Sequence, residues 1–110
     1  MALQKILQRQ FGADFEVREN PVTSQLTTVP AVILRNNPDR IAWLVANLGS
    51  YNGFLGFSPD VGPGKGLPLP AGGGQITCTY LEDLVLPGYE VYGAAEGATQ
   101  IYVLEIIARR

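Results

Sequence analysis

The chain consists of short apolar runs, rich in β-branched and aromatic residues, that recur about every ten residues with glycine and proline between them. Six runs stand out, at 31–34, 41–48, 51–57, 75–81, 89–93 and 101–107, and two weaker runs, 15–18 and 25–29, precede them. Runs of this length and spacing are typical of an all-β sandwich or barrel. The sequence therefore predicts an antiparallel β-sandwich or jelly-roll-like barrel of about seven or eight strands.

The run 41–48 is the clearest candidate for a central strand of a sheet. Its odd and even positions are both apolar, so both faces of the strand need cover. The turn residues Asn52 and Gly53 follow, and they predict that 51–57 folds back antiparallel onto this strand. The last run, 101–107, is also apolar on both faces and predicts a second central strand.

The amino-terminal residues have a different pattern from the rest of the chain. Apolar side chains recur there at helical spacing, at Leu3, Ile6, Leu7 and Phe11. The pattern predicts a short amphipathic helix in an arm, residues 1–12, attached to a single β-domain, residues 13–110. A helix of about ten residues is unstable alone, so the arm needs a surface, either its own sandwich or a neighbouring subunit. A membrane surface is disfavoured because the arm carries only two cations.

Composition narrows the partners that this chain can take. Apolar residues make up 46% of its 110 residues and charged residues 16%. That charged share lies below the roughly 25% usual for soluble domains, which indicates that another protein chain covers part of the surface. The net charge of −2, without a basic stripe, argues against nucleic acid. No apolar run reaches the roughly 18 residues that span a bilayer, and no signal-peptide core is evident, so we expect synthesis in the cytoplasm.

Chemistry-bearing motifs are scarce in the sequence. There is no histidine, which removes the commonest general base and the usual zinc ligand. Cys78 is the only cysteine and is predicted to be a buried strand residue. The glycine-rich segment 62–66 contains Lys65 but lacks the Ser or Thr of a phosphate loop, and Glu82 and Asp83 are expected to be solvated turn residues. We expect no catalytic residue, cofactor, metal or small-molecule substrate.

The longest irregular segment, 58–74, contains six glycines and four prolines and is predicted to be an ordered contact loop. Three aromatic residues that lie next to glycines, just before this segment, are expected to be exposed. They are Tyr51, Phe54 and Phe57. Exposed aromatic side chains serve either a protein partner or the stacking of a sugar ring. Both alternatives stay open at this point.

Several stretches together resemble a known class of protein. They are NNPDRIAWLVANLGS, YNGFLGFSPDVGPGKGLPLPAGGG, GYEVYGAAEG and IYVLEI, spanning residues 36–107. This succession resembles the small β-sandwich structural proteins of tailed bacteriophages. The resemblance implies a virion protein, made in the host cytoplasm, that decorates or cements the capsid surface at joints between major capsid subunits. It also implies a homo-oligomer, and a dimer or trimer is expected because such assemblies close around an axis.

In this interpretation the arm reaches across a neighbouring subunit, and the loop 58–74 contacts the capsid or a symmetry-related copy of the chain. The residues proposed for these contacts are Leu3, Ile6, Leu7, Phe11, Tyr51, Phe54, Phe57, Lys65, Leu67 and Leu69. Deletion of the arm is expected to leave a folded domain that no longer binds capsids. The alternative function is a glycan- or receptor-binding module of a phage fibre or tail, and an enzyme that uses clustered carboxylates ranks third.

Overall fold

The computed structural model describes residues 14–83 and 85–109. This part of the chain forms nine strands, all of them paired antiparallel. The strands are β1 (Asp14–Glu19), β2 (Gln25–Leu26), β3 (Ala31–Leu34), β4 (Arg40–Asn47), β5 (Gly53–Gly56), β6 (Leu67–Leu69), β7 (Gln75–Thr79), β8 (Val91–Ala95) and β9 (Thr99–Arg109). One helical turn, Tyr80–Asp83, and one 3-10 turn, Leu86–Gly88, lie between β7 and β8.

The strands form two sheets. The five-stranded sheet has the order β1-β9-β4-β7, with β2 paired to another part of β9, and the four-stranded sheet has the order β3-β8-β5-β6. The predicted central strands 41–48 and 101–107 correspond to β4 and β9, which pair with each other. Both have partners on each side, as their two apolar faces indicated.

The hydrophobic core lies between the two sheets. The five-stranded sheet contributes Leu26, Trp43, Val45, Cys78, Ile101 and Val103. The four-stranded sheet contributes Ile33, Leu34, Leu55, Leu69, Val91 and Ala95. Buried positions alternate with half-buried ones along both central strands, as expected for strands with one face in a core. The predicted all-β, antiparallel, sandwich-like fold is confirmed, but the described residues form nine strands instead of about seven or eight, because β6 lies in a segment predicted to be a loop.

One predicted strand pairing is wrong. The run 51–57 was expected to fold back onto 41–48, but β5 pairs with β6 and β8 in the other sheet. The reason is that β7 and β9 already occupy both edges of β4. The chain between β4 and β5 therefore crosses from one sheet to the other: Asn52 ends this crossing and Gly53 begins β5, so the two residues do not form a hairpin turn.

Two further local differences involve segment ends. The predicted loop 58–74 contains the short strand β6, whose Pro68 is tolerated because β6 lies at the edge of its sheet. The predicted strand 75–81 ends at Thr79, where the Asp83 carboxylate accepts the Thr79 N–H at 3.0 Å and the helical turn begins. The arm, residues 1–12, lies outside the described residues, so its helix stays a prediction.

Candidate functional site

The outer face of the five-stranded sheet is apolar across three neighbouring strands. On β4 the core-facing residues Trp43 and Val45 alternate with positions that point to the opposite face. The register between strands brings such positions together from β1, β4 and β9. We call the resulting surface the outer apolar face, and its members are Val17, Ala42, Leu44, Ala46, Tyr102, Leu104 and Ile106.

The outer apolar face is accessible, and its seven members carry no charge. Val17 is 59% exposed, and the other six members are half-buried because they pack sideways against one another within the sheet. Leu44 lies opposite Leu104 on one side and Thr77 on the other. One charged residue shares this side of the sheet: Glu19 of β1 lies opposite Leu104, and its carboxylate accepts a hydrogen bond from the Tyr102 hydroxyl at 2.8 Å. An apolar sheet face of this kind suits contact with a protein surface better than contact with water.

The three aromatic residues predicted to be exposed have different surroundings. Tyr51 is 49% exposed and packs against Gly97, where an added Cβ would lie 2.9 Å from its ring. Phe54 is half-buried on the outer side of the four-stranded sheet, opposite Ala94 and Pro68. Phe57 is 41% exposed and meets the ring of Tyr89 edge to face at a centroid distance of 6.3 Å.

The three candidate contact residues of the loop 58–74 also differ. Lys65 is exposed and its ammonium lies 3.6 Å from the Asp60 carboxylate. Leu67 is 48% exposed on the edge strand β6. The prediction that Leu69 is a surface contact residue is wrong. Its side chain is fully buried in the core, because the alternation of side chains along β6 directs it inward.

A cavity of about 330 Å³, which was not predicted from the sequence, is lined by residues of β1, β4 and β9 and of the connections that follow β1 and β3. We call it the arginine pocket, because three arginines line it, Arg18, Arg35 and Arg40, together with Glu105. Arg40 and Glu105 are almost completely buried, and the Arg40 Nε donates to Glu105 Oε2 at 2.9 Å. Glu105 interrupts an apolar run at a core-facing position, and a buried carboxylate requires a partner. That interruption was the available sequence signal.

Cys78 is buried, as predicted. Burial raises the pKa of its thiol from 9.0 to about 12, and the nearby Asp83 carboxylate adds to the rise. The thiol therefore stays protonated near neutral pH and is a poor nucleophile.

Within 14–83 and 85–109, no group of three or more His, Cys, Asp or Glu side chains is arranged to hold a metal ion. Among the helical segments of the same residues, none has the length and apolar character needed to cross a membrane.

Comparisons with protein-family models, with curated proteins and with solved structures gave no match to this chain.

Proposed function

We propose that this chain is a non-catalytic structural protein of a tailed-phage virion, which decorates the capsid by binding at joints between major capsid subunits. The observation that carries the proposal is the outer apolar face, which offers an uncharged surface of seven residues from three strands. The sequence resemblance to small β-sandwich structural proteins of tailed phages supplies the partner. The proposal requires that the joints between capsid subunits present a matching apolar surface.

The energetics favour several contacts at once. Burial of about 400 Å² of apolar surface, a usual size for a functional patch, gives about 10 kcal/mol. Association itself costs about 4–15 kcal/mol, so one face alone binds weakly. A dimer or trimer that presents two or three such faces to the lattice gains avidity without any new contact. Binding to the assembled shell, and not to dispersed subunits, then stabilises the shell by mass action.

Exposed residues outside this face, on the loops and on the edge strand β6, offer further contacts. Tyr51, Phe57 and Leu67 each leave two fifths or more of their surface to solvent, at 49%, 41% and 48%. Lys65 adds one cation beside the acidic Asp60. These side chains are available to a neighbouring subunit without any rearrangement of the core.

The test is co-sedimentation of the purified chain with expanded capsids built from the major capsid protein of the same phage. The variant Val17→Lys places a charge on the outer apolar face, and we expect it to weaken capsid binding about tenfold or more, since the charge must be desolvated on contact. Val29→Lys is the matched control, because Val29 is 67% exposed and lies outside this face. Thermal unfolding of both variants checks that they fold. Equal capsid binding by the two variants, or no binding by the parent chain, would contradict the proposal.

The alternative function, a glycan- or receptor-binding module of a fibre or tail, is favoured by one observation. Phe57 and Tyr89 form an exposed edge-to-face pair, and exposed aromatic rings stack on sugar rings. A glycan array tests it directly. Binding of a defined glycan that is lost in Phe57→Ala supports this alternative, whereas an array without signal removes it.

A further inference from the structure

We propose that the arginine pocket is a binding site for a carboxylate attached to a short aliphatic body. This inference does not depend on the proposed capsid function. The pocket lies where three separate parts of the chain meet. Arg18 comes from β1, Arg35 from the connection that follows β3, and Arg40 from the start of β4. Its volume of about 330 Å³ is at the small end of the range for ligand pockets, which suits a small acid or a single acidic side chain.

The floor of the pocket is a fixed cation. Arg40 is 4% exposed, and four acceptors hold its guanidinium. They are Glu105 Oε2 and the carbonyl oxygens of Pro87, Tyr89 and Arg35. A guanidinium has five N–H groups, so among the described residues one N–H of Arg40 has no acceptor. Because Arg40 lines the pocket, a carboxylate oxygen is the kind of group that this donor fits.

The rim of the pocket carries positive charge that its carboxylates do not balance. Glu105 pairs with Arg40, and Arg18 is shared between Glu16 and the more distant Glu105, whose Oε1 lies 4.0 Å from Arg18 Nη1. Arg35 is exposed and forms no ion pair with a described carboxylate. Three arginines therefore face two carboxylates, which leaves an excess of one positive charge in a chain of net charge −2.

Polar and apolar groups beside the arginines define the rest of the ligand. The Asn37 Oδ1 accepts the Asp39 N–H at 3.0 Å, so the amide N–H groups of Asn37 are left to donate to a ligand. Pro21 and Val22 line another part of the same pocket and offer an apolar wall. A guanidinium fork with adjacent amide donors recognises a carboxylate, and the apolar wall favours one with an aliphatic body over inorganic phosphate.

The experiment is an NMR titration of the whole chain with glutarate, and separately with inorganic phosphate, at constant ionic strength because salt screens exposed charges. We expect glutarate to shift the backbone amides of 35–37 and of Val22 together with the Arg35 side-chain Nε–H, and to bind more tightly than phosphate. Shifts spread over the whole surface, or phosphate binding as tight as that of glutarate, would overturn the assignment.

A pair of variants distinguishes a specific binding site from general electrostatic attraction. Arg35→Gln removes the unpaired rim cation and, because Arg35 is exposed, leaves the core intact. We expect it to weaken glutarate binding about tenfold, the usual effect of losing one charge-assisted contact. Lys65→Gln, which removes an exposed cation outside the pocket, is the matched control and is expected to bind glutarate like the parent chain. Equal affinity of the two variants would overturn the proposal. Capsid binding in the sedimentation assay is a separate readout, so either proposal can fail alone.

Discussion

Glu105 is the single residue whose charge the fold most depends on. The residue is 2% exposed, and its carboxylate accepts a hydrogen bond from the similarly buried Arg40, three of whose remaining N–H groups donate to the carbonyl oxygens of Arg35, Pro87 and Tyr89. These contacts connect β9 with the segments that enter and leave the four-stranded sheet. A buried ion pair adds little by itself, but removal of one partner leaves an uncompensated charge in the interior.

We expect Glu105→Gln to lower the free energy of unfolding by about 3–5 kcal/mol, because the Arg40 charge stays buried without a counter-charge. Urea unfolding followed by tryptophan fluorescence measures the change. Glu96→Gln is the control, since Glu96 is exposed and its replacement is expected to change stability by less than about 0.5 kcal/mol. A Glu105→Gln variant as stable as the control would show that the pair is not needed.

Cys78 gives the fold a pH dependence in the alkaline range. Its thiol pKa is raised from 9.0 to about 12, chiefly by burial, so above pH 9 the unfolded chain releases this proton while the folded chain keeps it. Stability from this group is fully present below pH 9 and is lost as the pH rises from 9 toward 12. We expect Cys78→Ala to flatten the alkaline loss of stability measured by urea unfolding.

The parent thiol is expected to react with a disulfide reagent at pH 8 only when the chain is unfolded, and rapid labelling of the folded chain would contradict this.

At the scale of elements, the connection between β4 and β5 depends on a close approach of backbone. A Cβ on Gly49 would lie 2.0 Å from Thr99 Oγ1 and 2.8 Å from the Gln100 backbone nitrogen. Asn47 holds the same region, because its Oδ1 accepts from the Gly49 N–H at 3.0 Å and from the Thr99 hydroxyl at 2.8 Å. The crossing between the sheets therefore has room for glycine alone at position 49.

We expect Gly49→Ala to destabilise the chain by about 1–3 kcal/mol, the usual cost of forcing an extra methyl group into a packed site. Gly62→Ala is the matched control, because a Cβ there meets nothing within 4 Å and the backbone angle is ordinary. Thermal unfolding of the two variants compares them directly. If the two melting temperatures agree, the contact with Thr99 is not restrictive.

Much of the fold was predictable at this scale, and the remainder was not for definite reasons. The apolar faces of β4 and β9 predicted two central strands, because alternation reports how many faces a strand buries. Alternation does not report which strand is the neighbour, so the place of β5 in the other sheet was missed. The prolines of 58–74 concealed β6, since a proline is compatible with an edge strand as well as with a loop.

The candidate sites show the same limit. The exposure of Tyr51 and Phe57 followed from their neighbouring glycines and turns. The arginine pocket brings Arg18 of β1 to Glu105 of β9 through strand pairing, and no spacing in the sequence encodes that meeting. The wrong surface assignment of Leu69 arose because a residue in a presumed loop has no predictable face.

At the scale of the whole molecule, the distribution of apolar surface bears on assembly. The outer apolar face is half-buried rather than buried, and exposed apolar residues also occur on the loops. Monomeric soluble proteins rarely present large contiguous patches of this kind. Only 16% of the residues are charged and the net charge is −2, so there is little electrostatic repulsion to keep such surfaces apart in solution.

We expect light scattering of the purified chain to give the mass of a dimer or trimer, because closed symmetric assemblies are the common outcome of one self-complementary or repeated contact. The chain mass of 11.9 kDa makes the two states easy to distinguish. A monomer mass across the concentration range would contradict the expected homo-oligomer. Val17→Lys measured in the same way then shows whether the outer apolar face joins the copies or is left for another partner.

The position of β9 in the five-stranded sheet has a consequence for the order in which the molecule is made. β9 is the last of the described strands to be synthesised, yet β1, β2 and β4 all pair with it. Until β9 is available, β1 and β2 have no ladder, and the core-facing side of β4 lacks its neighbours Ile101 and Val103. Pairings this distant in sequence close slowly. The nascent chain therefore carries an incomplete sheet until nearly all of these residues have been made, and its unpaired strand edges are exposed to premature association during that interval.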